Sequence, residues 1–202
     1  MKTLLLIPVL MAAFAATRPA ATVPVAPADP AWQIDGLHSS VLFKVQHAGA
    51  ANFYGCFNTV SGSFTLDEKS PADSSVELVI DAASVDTRDE GRDKHLRNAD
   101  FFDVKQYPEI RFTSGKVALM TGDPRGVVFD VGGTLEIRGK KKDIAVQVVK
   151  TGEGEMNGKR VGYEAKFVLK RSEFGMDYGV AKKALGDEVT VLIAIEGVQP
   201  KK

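Results

Sequence analysis

The chain has 202 residues, with 26 basic and 26 acidic side chains and a hydrophobic fraction of 44%. This accommodates one domain plus appendages and enough apolar residues for a sizeable core. The even charge lends no support to nucleic-acid binding, which draws most of its affinity from neutralising phosphates. The single cysteine, Cys56, rules out an intrachain disulfide.

Residues 1–15 have the form of a secretory signal peptide: a basic start at Lys2, an apolar run from Leu4 to Ala13, and a small-x-small cleavage site at Ala13-Phe14-Ala15. The run is too short to span a bilayer, which takes about 20 residues. Cleavage after Ala15 would deliver the product to the periplasm or to the exterior. Residues 16–30 are rich in Ala and Pro and read as an extended linker. The folded domain is expected over 31–199.

Within that domain the dominant signal is alternation of apolar and polar residues, the mark of half-buried strands. It runs through Val41, Phe43 and Val45, then Phe64 and Leu66, then Val76, Leu78 and Ile80. It resumes at Ile110 and Phe112, at Val127 to Ile137, at Ile144 to Val148, at Val161 to Leu169 and at Val189 to Ile195. Turn chemistry separates the later segments at 122–126, 138–142 and 156–159, the last with an Asn-Gly pair. About eight strands joined largely by hairpins predict an all-β, antiparallel barrel, which removes its own edges.

One segment breaks the alternation. Thr87-Arg88-Asp89-Glu90 has the form of a capping box, predicting a short helix over about 88–98 with Thr87 as its cap. Phe101 and Phe102 follow directly, which would put them beside an opening covered by the helix.

An eight-stranded barrel has room for packed side chains or for one small ligand. Phe43, Phe64, Phe112, Phe129 and Phe167 share the inward parity, together with Val45, Leu78 and Ile80. Val131, Leu135 and Leu169 complete the candidate ligand-binding wall, with Phe101 and Phe102 at the mouth. Parity alone does not separate a filled core from a hollow one; Gly132, Gly133 and Ala165 within strands favour close approach or free space. Arg92, His95 and Arg97 form the tightest polar cluster. They would either pin the helix to the rim or receive a ligand head group, for which Arg is well suited. His38, His47 and His95 have no metal-ligand spacing, and no nucleophile motif is present, so neither a metal site nor an enzyme is expected.

The ordered residues also resemble a known family. Trp32-x-Ile-Asp35-x-x-His38-Ser39-x-Val41-x-Phe43-x-Val45-x-His47 is similar to the opening of YceI-like lipid-binding proteins. Further matches are Ser84-Val85-Asp86-Thr87, Arg92-Asp93-x-His95-Leu96-Arg97, Asp100-Phe101-Phe102-Asp103, Tyr107-Pro108, Gly133-Leu135-x-Ile137-x-Gly139 and Phe174-Gly175-Met176. The likeness spans about residues 32–197. One departure is Cys56, where that family usually has a basic residue before the Phe. The resemblance implies a lipocalin-like barrel with a hydrophobic tunnel for a polyprenyl phosphate, an isoprenoid quinone or another long amphiphile. It implies a homodimer as a common state and no need for a catalytic centre; no cofactor beyond the lipid is expected, and transient contact with a membrane is a further expectation. Sequestration of fatty acids, amides or toxic compounds, or an enzyme acting on a bound quinone, are the alternative roles.

Overall fold

A computed structural model describes residues 32–199; the expected signal segment and linker lie outside the described residues. The strands are β1 (Trp32–Ile34), β2 (Ser40–His47), β3 (Ala51–Phe57), β4 (Val60–Thr65), β5 (Ser75–Asp81) and β6 (Val85–Asp86). After the helix α1 (Glu90–Leu96) come β7 (Glu109–Met120), β8 (Val128–Ile137), β9 (Lys140–Glu155), β10 (Lys159–Lys170) and β11 (Leu185–Val198).

All pairings are antiparallel, and they close into a ring. β11 takes β2 along its middle, Val191 facing Phe43, and β1 at its end, Gln33 facing Val198. β1 in turn pairs with β4 and β2 with β3. Hence β1 and β2 are two halves of one wall position, as are β3 with β4 and β5 with β6. With β7 to β11 this gives the eight-stranded barrel that the alternation implied.

The turn chemistry explains the register. Arg138 and Gly139, at φ 52° and 67°, form a two-residue connection between β8 and β9; positive φ at both central positions matches the twist of the flanking strands. At the opposite end Asn157 and Gly158 also have positive φ. Gly133 serves a different purpose: a Cβ there would lie 2.4 Å from the carbonyl oxygen of Thr113. Its missing side chain lets β8 approach β7 beside the bulge between Ser114 and Lys116.

The helix is shorter than expected, and its cap is different. α1 starts at Glu90, and Asp89 is the cap, its carboxylate accepting from the Arg92 N–H at 2.8 Å. Thr87 is drawn inside instead, 2% exposed, because its N–H donates to Asp93 Oδ1 at 2.9 Å and its hydroxyl donates to the same oxygen. A positive φ at Arg88 makes the corner between them.

Aromatic side chains close the barrel away from α1. Phe64, fully buried, stacks on Trp32 at 6.5 Å and meets Tyr163 edge-on at 5.5 Å; Phe129, also fully buried, lies 6.3 Å from Tyr163. At the α1 end, Phe101, Phe174, Met176 and Arg171 are buried. Phe102 packs edge-on against Phe57 at 5.3 Å, and Phe57 in turn against Phe43.

Candidate ligand-binding site

Between these two closures the barrel is hollow. The cavity has a volume of about 170 Å³, where roughly 10–15 Å³ measured in this way holds one water. Every exposed atom of its lining is apolar. Such a space gains nothing from water and favours a hydrocarbon guest.

Most of the wall expected from parity lines this space: Phe43, Val45, Leu78, Ile80, Phe101, Phe102, Phe112, Val131, Leu135, Phe167 and Leu169. Phe64 and Phe129 do not. They have the right parity but sit at the aromatic closure, where neighbouring rings fill the barrel. Parity fixes which face a residue takes and says nothing of its depth along the axis. The same alternation in β11 carries Val189, Val191, Ile193 and Ile195 onto the wall, a set left out of the expected site. Leu96, from the last turn of α1, also reaches the cavity.

Arg92, His95 and Arg97 do not line the cavity. Arg92 donates through Nε to the Thr87 hydroxyl oxygen and through Nη2 to the Thr87 carbonyl, both at 2.8 Å, and its guanidinium lies 4.2 Å above the Phe53 ring. Arg97 donates to the carbonyls of Ala83 and Val85, each at 2.8 Å. His95 sits edge-on between Phe101 and Tyr178, with Nε2 2.9 Å from Asp100 Oδ2. Arg97 thus pins α1 to the barrel through backbone carbonyls, while Arg92 ties the helix to the Thr87 segment and stacks on Phe53 of β3, the first of the two readings their spacing allowed.

Sequence reasoning missed Arg171. It is 4% exposed, lines the cavity, and donates to four carbonyls, those of Gly186, Met176, Tyr178 and Leu185, at 2.7–3.0 Å. No carboxylate among the described residues lies within 4.0 Å of it, and burial pushes its pKa down. It ties the loop 175–184 to the start of β11 at the end of the barrel. The only hint in the sequence is an Arg directly after an alternating strand and before Phe174-Gly175, which is too common a pattern to single out.

Cys56 is half-buried; its thiol contacts the Asp86 carbonyl at 3.6 Å, and burial, with Asp86 and Asp93 nearby, pushes its pKa up. A raised pKa leaves less thiolate and so lowers reactivity. Asp35, His38 and Glu196 come close enough to share a cation, but Arg160 already occupies that place, its Nη1 bonding both carboxylates.

Fold and cavity together define a closed antiparallel barrel built around an apolar binding space. The family model of the YceI-like domain matches residues 32–197, and the chain belongs to the YceI-like family. Protein YceI of Escherichia coli O157:H7 is 39% identical over 171 residues, covering 83% of this chain and 85% of that one. Among solved structures, Burkholderia cenocepacia BcnA is similar with a TM-score of 0.72 and 26% identity, over 81% of this chain and 98% of that chain. A polyisoprenoid binding domain from Saccharophagus degradans shares the fold, with a TM-score of 0.65 and 17% identity over 85% and 100% of the two chains.

Proposed function

We propose that the protein binds a long-chain isoprenoid amphiphile inside its barrel and carries or stores it outside the cytoplasm. The observation that supports this most directly is the cavity: continuous along the barrel, apolar at every exposed atom, and blocked by packed aromatics at one end. Each buried methylene contributes about 0.8 kcal/mol, so several isoprene units supply a gross apolar term well above 10 kcal/mol. Ordering the chain offsets part of that, and binding that survives purification is expected. The name of the Saccharophagus degradans domain points to the same class of guest. Export rests on the signal-like segment at residues 1–15. The exposed surface of the wall is apolar throughout, which favours a carrier over an enzyme.

Native mass spectrometry of the purified protein, followed by solvent extraction, tests this reading. The expected result is a non-covalent hydrophobic mass that the extract identifies as an isoprenoid. A fatty acid or amide in its place would favour sequestration. Ligand-free protein that takes up neither a polyprenol nor a quinone would overturn the proposal.

A further inference from the structure

The wall has a seam. β9 and β10 pair from Glu155 facing Lys159 to Val148 facing Ala165, and there the ladder stops. Both strands continue towards the α1 end, β9 from its start at Lys140 and β10 to Lys170, but each keeps only its other neighbour, β8 or β11. Side chains on both lips of the seam, Ile144 and Val146 on one and Phe167 and Leu169 on the other, line the cavity. The seam therefore opens sideways into the apolar space, whereas the barrel end beyond it is filled by Phe101, Arg171, Phe174 and Met176.

The β9 lip changes character along its inner row. Lys142 pairs directly with Leu135 and Lys140 with Ile137, and both partners are buried cavity residues. Directly paired residues share a face of the sheet, so both lysines belong to the inner row, yet both are exposed. An exposed residue on an inward row marks an opening. Neither ammonium takes part in an ion pair among the described residues, whereas Lys141, on the outer face, pairs with Glu136 at 3.6 Å. Asp143, the acidic neighbour, is engaged by the Thr134 hydroxyl at 2.9 Å. From Lys142 the row runs through Ile144 and Val146 to Val148, about 20 Å from head to foot at the rise of a strand. Cations at the opening and hydrocarbon below it form the imprint of an anionic amphiphile.

We propose that the seam between β9 and β10 is the portal of the cavity, and that Lys142 and Lys140 hold an anionic head group there while the tail lies inside. The site would take a phosphate or carboxylate attached to a long hydrocarbon chain. This rests on the cavity being a lipid site, and it adds which end of the lipid is recognised and by what. Lys166 and Lys170 on the opposite lip are exposed, and Arg171 is buried just beyond. Its N–H groups are committed to carbonyls, so the flexible lysines are the ones free to bond the anion.

The test compares a polyprenyl phosphate with the polyprenol of the same chain length, on wild-type protein and on the Lys140→Gln/Lys142→Gln double variant, at low and high salt. Expected is a preference of about tenfold for the phosphate at low salt, reduced by salt and abolished in the double variant, with polyprenol binding unchanged. Equal binding of the two lipids by wild-type protein, or a preference that survives the double substitution, overturns the head-group assignment and leaves the cavity reading intact. Failure of both lipids to bind overturns the two together. Inorganic phosphate serves as the tail-free probe: it should leave bound polyprenol in place, and tight binding of it alone would make this a free-anion site instead. A cross-link across the seam, Gln147→Cys with Lys166→Cys in a Cys56→Ser background, should slow lipid uptake on oxidation and restore it on reduction. Unchanged uptake in the cross-linked protein overturns the portal.

Discussion

Thr87 and Asp93 are bound to each other twice, N–H and hydroxyl of the one meeting a single carboxylate oxygen of the other, both residues buried. The same hydroxyl accepts from Arg92 Nε at 2.8 Å. The segment leading into α1 is thereby tied to the helix itself, and Arg97, bonded to the Ala83 and Val85 carbonyls, with Arg92 stacked on Phe53, ties that unit to the barrel. Asp93→Ala would leave two buried donors unpaired and should lower stability by about 1–3 kcal/mol. Asp93→Asn, which keeps an acceptor oxygen, should recover part of that loss. Denaturant unfolding of both variants measures it; equal midpoints for Asp93→Ala and wild type would remove this contact from any account of stability.

The helix cap gives a second, separable expectation. Asp89→Ala removes the acceptor for the Arg92 N–H and should reduce stability by about 1 kcal/mol. Asp89→Asn or Asp89→Ser should largely restore it. The same unfolding assay decides, provided the slope with denaturant is unchanged.

The difference between the cap expected at Thr87 and the one found at Asp89 shows where the sequence stops being readable. The barrel was legible because alternation is a local property, visible in each strand from Val41 to Ile195, and the hairpins were legible from Gly and Asn at positions that need positive φ. The cap was not, because Thr87 and Asp89 both offer a capping oxygen and only the tertiary pull of Asp93 separates them. The wall was legible to the extent that parity assigns a face; the depth of Phe64 and Phe129 depends on strand tilt and on which rings meet at the closed end. The seam was invisible, since β9 and β10 both carry sound strand patterns beyond the point where they part.

Depth along the axis has a measurable consequence. Phe129→Ala should cost about 3–5 kcal/mol, because the residue is fully enclosed and a void would remain. Phe167→Ala, on the wall of an existing cavity, should cost clearly less. Ala165→Phe would fill part of the cavity and should shorten the longest prenyl tail the protein retains, read by mass spectrometry of the extract. Equal costs for the two Phe substitutions would contradict the boundary drawn between packed end and hollow middle.

Acid should act through Asp35. Its hydrogen bonds with His38 and Arg160 hold the carboxyl at about 2, below the ordinary value of 3.8. A carboxyl with a depressed pKa in the folded state adds stability that is complete above the unfolded value and is lost as pH falls through the folded one. Wild-type protein should therefore exceed Asp35→Asn in stability at neutral pH, and the gap should narrow between about pH 4 and pH 2. A gap that stays constant across that window would show that Asp35 acts by shape alone.

Closure of the ring sets the order in which this molecule can fold. β11, the last strand, is the partner of β1 and β2, the first two, and Asp35 N–H reaches the Glu196 carbonyl at 2.8 Å across most of the chain. Until residues 185–198 are available, β2 and β10 are open edges and the apolar interior faces water. A chain emerging from its N-terminus therefore cannot complete the barrel early. It remains threadable almost to its last residues, and it folds slowly for its size because its decisive contacts are so distant in sequence.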